Sequence, residues 1–195
     1  MKKTEIKAFF DQCAKNWDDR MVKNDNVITK ILDNADVNEN IDVLDVACGT
    51  GVLFPYYLER KVSSVVGIDF SSEMVKIAKE KFPNIEVICS DVENYFFAKK
   101  FDRVIVYNAF PHFSNPKQLI KVLSKAIKPG GILSIAHGMS RDKLLEHHLK
   151  KASNISIELL NITDACFLLE EDFEVVHAIS NNEMYQLVGK KKNKY

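Results

Sequence analysis

Residues 43–51 read Val-Leu-Asp-Val-Ala-Cys-Gly-Thr-Gly, and no other stretch restricts the fold of this chain as much. An apolar run that meets an acid and then two closely spaced glycines suits a strand buried on both faces and closed by a tight turn. Periodicity alone leaves a buried helix open at this point. Asp45 falls near the carboxyl end of the run. Gly49 and Gly51 permit a tight turn and a close approach of backbone to a ligand. A helix is expected to follow, from about residue 53 to 60. Strand, glycine turn and helix together make a nucleotide-type pocket at the carboxyl end of a strand. A dinucleotide site wants a third glycine, G-x-G-x-x-G, and Phe54 occupies that position. A lone G-x-G is equally a βα turn with no ligand. The second anchor is Ser63–Phe70, another apolar run ending in an acid. Asp69 lies 20 residues after Gly49, the spacing at which a carboxylate reaches a ribose diol. Ser71 then offers an N-cap hydroxyl.

From Asp42 onward the pattern alternates. Strands are expected near 42–46, 64–69, 85–89, 103–108 and 131–137, with helices near 53–60, 72–82 and 116–128. Such alternation implies a parallel sheet with helices on both faces. Pro83-Asn84 and Pro129-Gly130-Gly131 read as turns before the third and fifth strands. Ser140 can cap a helix running from Arg141 to about Ala152, and another helix is expected near 163–170. Two strands near 173–180 and 184–190, joined through Asn181-Asn182, form an antiparallel hairpin. Residues 4–33 read as helical, with Ile6, Phe9, Phe10, Cys13 and Trp17 on one face and a break near residues 24–26.

Read together, these motifs resemble the class I S-adenosylmethionine-dependent methyltransferases, particularly the small ubiquinone-biosynthesis-like branch. VLDVACGTG looks like the family's first motif, VVGIDFSSEM its second and CSDVEN its third. FDRVIVYNAFPHF looks like its fourth strand and loop, and LSKAIKPGGILSIAHG like the helix and fifth strand. The resemblance covers roughly Phe9 to Lys190. It implies a Rossmann-like α/β fold with a seven-stranded, mostly parallel sheet: five parallel strands plus the C-terminal hairpin. It implies one domain over residues 1–195, with residues 1–40 as a helical cap. S-adenosylmethionine is the implied cofactor. Its implied contacts are Trp17 as cap aromatic, Asp45, Ala47, Gly49 and Gly51 around the turn, Asp69 on the ribose, Phe70 and Met74 near the adenine, Asp91 and Val92 at the adenine amino group, and Asn108.

Three acids at the ends of successive strands suit a ligand that carries an ammonium, a sulfonium and a diol; they would repel a pyrophosphate. Each acid alone could instead cap its strand end by bonding backbone amides. Methyl transfer from a sulfonium needs mainly positioning of the nucleophile. Amino-group methyltransferases of the resembling family carry Asn-Pro-Pro-Tyr after the fourth strand, whereas this chain has Asn108-Ala109-Phe110-Pro111. Phe110 and Phe113 suggest an apolar or aromatic small-molecule acceptor, although either could be core. His112 and His137 are the candidates for acid–base work. His147 and His148 are neighbours on a helix and point about 100° apart, so both cannot face one site. No H-E-x-x-H pattern exists, and no metal is expected, although His112, His137 and one helical histidine would be the set to consider.

Lys+Arg and Asp+Glu both number 27, which argues against a nucleic-acid partner. No apolar stretch approaches a membrane span. The four cysteines have neither metal nor redox spacing and read as buried thiols in a reducing, cytoplasmic compartment. The expected function is methyl transfer to a small molecule. A cofactor-binding subunit without transferase activity and a nicotinamide-dependent oxidoreductase are the other readings.

Overall fold

The computed structural model describes residues 2–151 and 155–193. Seven strands form one sheet: β1 (Asp42–Val46), β2 (Ser64–Asp69), β3 (Glu86–Cys89), β4 (Phe101–Tyr107), β5 (Ile127–His137), β6 (Phe173–Ser180) and β7 (Tyr185–Lys191). Their spatial order is β3-β2-β1-β4-β5-β7-β6. The first five run parallel, and β7 pairs antiparallel with both β5 and β6. This is the expected seven-stranded Rossmann-like sheet. The order reverses beside β1, so a crevice opens at the carboxyl ends of β1, β2 and β4.

Alternation along each strand divides the core between the two faces. Leu44, Val46, Val104, Val106, Leu133 and Ile135 pack on one side with Leu119 and Leu123. Val43 and Ile105 face the other side with Ile28, Ile31, Phe54 and Tyr57. Full burial of such a side chain contributes about 1.5–3 kcal/mol, so this layering holds the strand ends that frame the crevice. Of the cysteines, only Cys48 is buried; Cys89 is exposed and Cys13 and Cys166 lie between, which corrects the expectation of four buried thiols.

The helices are α1 (Lys3–Cys13), α2 (Trp17–Arg20), α3 (Asp25–Asn34), α4 (Phe54–Glu59), α5 (Ser72–Lys81), α6 (Pro116–Ala126), α7 (Arg141–Lys151) and α8 (Ile162–Phe167). Their starts follow from local chemistry. Asn24, Ser71 and Asn115 cap α3, α5 and α6 by accepting from Val27 N, Met74 N and Gln118 N, which satisfies amides the helices leave open. The expected end of α7 at Ala152 lies outside the described residues.

Pro129-Gly130-Gly131 departs from expectation. It sits within β5, as an irregularity between the pairs Phe101↔Ile127 and Arg103↔Ile132. Gly130 adopts φ +73°, so the extra residues bulge out and the strand resumes rather than starting after a turn. At the amino end of the sheet, Lys99 and Lys128 lie 2.8 and 3.1 Å from the two oxygens of Asp42, and Lys128 lies 2.8 Å from Asp102. No helix among the described residues is long and apolar enough to cross a membrane.

Candidate active site

The crevice is a cleft of about 1070 Å³, counting its open mouth. Its floor is the turn after β1. Ala47 and Gly49 take φ +54° and +55°, so two residues of the turn lie in the left-handed region where a Cβ is costly. Gly49 carries none, and Ala47 bears that strain at the cleft. Gly49 N donates to Asp69 Oδ2, and Ser71 N donates to Asp69 Oδ1, both at 2.8 Å. Asp69 therefore ties the glycine turn to the start of α5, which is why the 20-residue spacing matters physically. The strand-end cap and the ligand contact are compatible, since each carboxylate oxygen accepts more than one bond. Burial pushes the Asp69 carboxyl up, and the amides of Ser71, Gly49 and Phe70 oppose that rise.

Asp91 stands at the third strand end and starts a 3₁₀ turn, Val92–Asn94. Its Oδ1 accepts from Glu93 N at 3.1 Å and its Oδ2 from Asn94 Nδ2 at 2.7 Å. Phe70, Met74 and Val92 line the same side of the cleft.

Asn108 follows β4 with φ +54°, a conformation asparagine tolerates better than most residues. Its Oδ1 accepts from Gly138 N at 2.9 Å, which locks the loop to the end of β5. His112 closes the next 3₁₀ turn, Phe110–His112. Its Nδ1 lies 3.0 Å from the carbonyl oxygen of Ile155. Ser156 Oγ lies 3.4 Å from the same nitrogen, and since a carbonyl only accepts, the contact with Ile155 suits the tautomer that carries its proton on Nδ1. Phe10 meets the imidazole edge-on at 5.0 Å between centroids, and Trp17 meets Phe10 at 5.7 Å.

Ten of the residues singled out above converge on this cleft: Trp17, Ala47, Gly49, Asp69, Phe70, Met74, Asp91, Val92, Asn108 and His112. Three do not. Asp45 is buried at 2% exposure beneath the turn, so its carboxyl does not line the cleft. Gly51 points into the core: a Cβ there would stand 2.7 Å from Phe54 Cδ2 and 3.0 Å from Phe82 Cε2. His137, the last residue of β5, is 1% exposed, packs against the Tyr185 ring at 6.2 Å between centroids and does not line the cleft. Phe113 lines the cleft, whereas Phe110 belongs to the core. The side chains of His147 and His148 lie outside the described ones. Among the described residues, no group of three or more His, Cys, Asp and Glu could hold a metal ion.

The sequence reading missed the charged edge of α1. Lys3, Ile6, Lys7 and Phe10 all line the cleft, and their spacing, three or four residues apart, puts them on one helix face. That spacing was the available signal. Lys3 Nζ lies 2.5 Å from Asp91 and 2.7 Å from Glu93, which is only 6% exposed. Burial works against the Lys3 ammonium, but its bonds to these two acids outweigh it and raise its pKa. Asp11 accepts from Ser71 Oγ at 2.6 Å and from Glu73 N at 3.3 Å, and Asp18 accepts from Thr50 Oγ1 and Lys81. The N-terminal helices are thus fastened across the carboxyl edge of the sheet.

A sheet with helices on both faces, acids and a glycine turn at its carboxyl edge and a cleft roofed by the N-terminal helices defines a Rossmann-like domain. Residues 43–131 match the family model described as a methyltransferase domain. The chain is 32% identical to the demethylmenaquinone methyltransferase of Paenarthrobacter aurescens over 142 residues, covering 68% of this chain and 54% of that one. It is 27% identical to an uncharacterized methyltransferase of Alkaliphilus oremlandii, covering 98% and 94%. A methyltransferase solved with the Haloferax volcanii Trm112 methyltransferase activator shares the fold, with a TM-score of 0.78 at 16% identity over 94% of this chain and 98% of that one. The chain is thus similar to methyltransferases in sequence across residues 43–131 and in fold over most of its length. It spans about half the length of the first curated relatives it matches.

Proposed function

We propose that the protein is an enzyme that transfers a methyl group from S-adenosylmethionine to a small-molecule acceptor. The observation that carries this reading is the convergence of Gly49, Asp69, Asp91, Asn108 and His112 on one cleft. In this reading Asp69 accepts from the ribose hydroxyls. Phe70, Met74, Asp91 and Val92 receive the adenine. The backbone at Ala47 and Gly49 meets the methionine part, and Trp17 covers it. Asn108 and His112 face the methyl. Residues 1–195 act as a single domain, and residues 1–40 form its cap.

The cofactor supplies an activated methyl on sulfur. The chain supplies position, which contributes about 7–11 kcal/mol to such a displacement, and His112 Nε2 accepts the acceptor's proton where one must leave. A general base of this kind contributes about 10²- to 10⁴-fold. The lining aromatics Phe10, Trp17 and Phe113 favour an apolar or aromatic acceptor. The balanced charge, 27 of each sign, favours a small molecule over nucleic acid. Four free thiols favour a reducing cytoplasm.

Titration with S-adenosylmethionine tests the cofactor. Asp69→Ala should weaken binding roughly 10- to 150-fold, because a hydrogen bond to a charged group is worth about 1.5–3 kcal/mol. Unchanged affinity in the folded variant would remove the ribose assignment. Incubating cell extract with isotopically labelled cofactor then identifies the acceptor. A second reading, an enzyme that turns over only with a protein partner, is supported by the Haloferax volcanii methyltransferase solved with an activator. Labelled cofactor that binds but never turns over would favour it.

A further inference from the structure

A second concavity lies between α6 and the end of α8, about 1060 Å³ counting its open mouth. Among the described residues it shares no lining residue with the cleft. Lys117, Lys121 and Lys125 line it. All three are exposed, and their four-residue spacing sets them in one row along α6, with about 6 Å of rise between neighbours. Ile120, Phe167 and Leu168 supply the apolar part of the lining. Ile120 is buried and Leu168 half-buried, but Phe167 is 63% exposed.

The charges of this groove do not cancel within it. Lys191 is engaged: its Nζ donates to Ser124 Oγ, lies 3.6 Å from Asp172 and sits 5.2 Å from the centroid of the Phe173 ring. That pairing leaves Glu171 as the other acid of the groove, against three lysines. Among the described residues, no ion pair engages Lys117, Lys121 or Lys125. A row of lysines by itself is a solvated helix face. A row of lysines beside an exposed aromatic ring and a recessed apolar floor has the make-up of a protein interface, with an apolar centre and a polar rim.

We propose that this groove docks an acidic amphipathic helix of a partner protein. Carboxylates four residues apart on such a helix repeat the spacing of the α6 row. Apolar residues on the neighbouring stripe cover Phe167 and meet Leu168, the helix-in-groove mode of recognition. A bilayer fits less well, because the apolar floor is recessed and Glu171 would face anionic headgroups. Nucleic acid fits less well in a chain with 27 charges of each sign. Ser114 is the last cleft residue before α6 and Lys117 the first residue of the groove, so the partner sits on the helix that follows the His112 loop. The proposal concerns binding alone and does not rest on the methyl-transfer reading.

Fluorescence anisotropy tests it with a labelled alanine-based peptide of about 20 residues, long enough to hold a helix. The peptide carries glutamate at every fourth position with a leucine beside each; a peptide of the same composition in shuffled order is the comparison. At low salt the ordered peptide should bind about tenfold or more tightly than the shuffled one, slow amide exchange in residues 116–126 and 162–168, and release as salt screens the row. Lys117→Glu, Lys121→Glu and Lys125→Glu together should weaken it by about tenfold or more and shift the preference to the matching lysine peptide. Glutamate holds a helix about as well as lysine, so α6 survives the exchange. Phe167→Ala should weaken the ordered peptide about tenfold. Absence of binding, equal affinity for ordered and shuffled peptides, or full affinity in the triple variant would overturn the proposal. So would tighter binding to phosphatidylglycerol vesicles or single-stranded DNA that the triple variant loses, or self-association that Phe167→Ala abolishes.

Discussion

Gly49 and Gly51 stand two residues apart and meet different neighbours. The nearest atom to a Cβ at Gly49 would be Trp17 Nε1 at 3.9 Å, across the cleft. At Gly51 it would be the Phe54 ring, inside the core. Gly49→Ala should therefore cost about 1–2 kcal/mol of left-handed backbone strain and weaken ligand binding in a folded protein. Gly51→Val should add about 1–3 kcal/mol of overpacking to similar strain and destabilise the whole fold. Urea unfolding midpoints, with and without cofactor, separate the two. The motif announced both glycines as permissive positions, but which way each faces depends on Phe54 and Phe82, and nothing in the spacing reveals that. Asp45 was legible as a strand-end acid in the same partial way, but that its Oδ2 is buried without a donor and its carboxyl pushed well up by burial depends on how the chain packs around it. Its folded-state pKa lies above the unfolded value, so its contribution is fully present below the unfolded pKa and declines as pH rises toward the folded one. Asp45→Asn should thus gain stability over the parent as pH rises from 4 to 8 in the absence of ligand. A melting-temperature difference that does not grow with pH would contradict the buried-acid assignment.

Among the elements, α1 has the least local reason to sit where it does. Its apolar face was readable from Ile6 and Phe10, but its docking depends on Asp91 and Ser71, which lie 88 and 60 residues from Lys3 and Asp11. Burial raises the Asp11 carboxyl, and bonds from Lys7, Ser71 and the Glu73 amide more than reverse this, leaving it below the usual range. Stability from Asp11 is therefore present above the unfolded carboxylate pKa, about 3.9, and is lost as pH falls below it. Asp11→Ala should speed amide exchange in residues 3–13 at neutral pH and leave the central strands unchanged. In the parent, added cofactor should slow exchange in the same residues, as closure of a cap excludes water. Equal exchange with and without ligand would mean that α1 is fixed packing rather than a lid.

At the scale of the whole molecule, the sheet was legible because each parallel strand is a short apolar run bounded by punctuation. The bulge in β5 was not, since Pro-Gly-Gly looks the same before a strand as within one. The contact of His112 with Ile155 was also out of reach, as no local pattern links residues 43 apart. The amino end of the sheet was equally silent, yet it holds an acid-sensitive cluster. Asp42 is held down to about 2 by bonds from Lys99, Ser64 and Lys128. Its carboxylate contributes stability above the unfolded value, about 3.9, and loses it as pH falls toward about 2. Asp42→Asn should lower the melting temperature modestly at pH 7, because the pairs are partly exposed, and should differ little from the parent near pH 2. A gap that persists in acid would sink this ion network as the cause.

The fastening of α1 also bears on how the chain is made. Lys3 and Phe10 precede every group they dock on, and their partners Asp91, Glu93 and His112 arrive about a hundred residues later. At synthesis rates of about 5–20 residues per second, the apolar face of this helix waits roughly 5–20 seconds without its partner surface. A nascent chain stalled before β3 therefore presents Ile6, Phe9, Phe10 and Trp17 to whatever it meets. Chaperone capture should peak over that interval and fall once the segment through His112 has emerged, and ribosome-bound chains of graded length would reveal it.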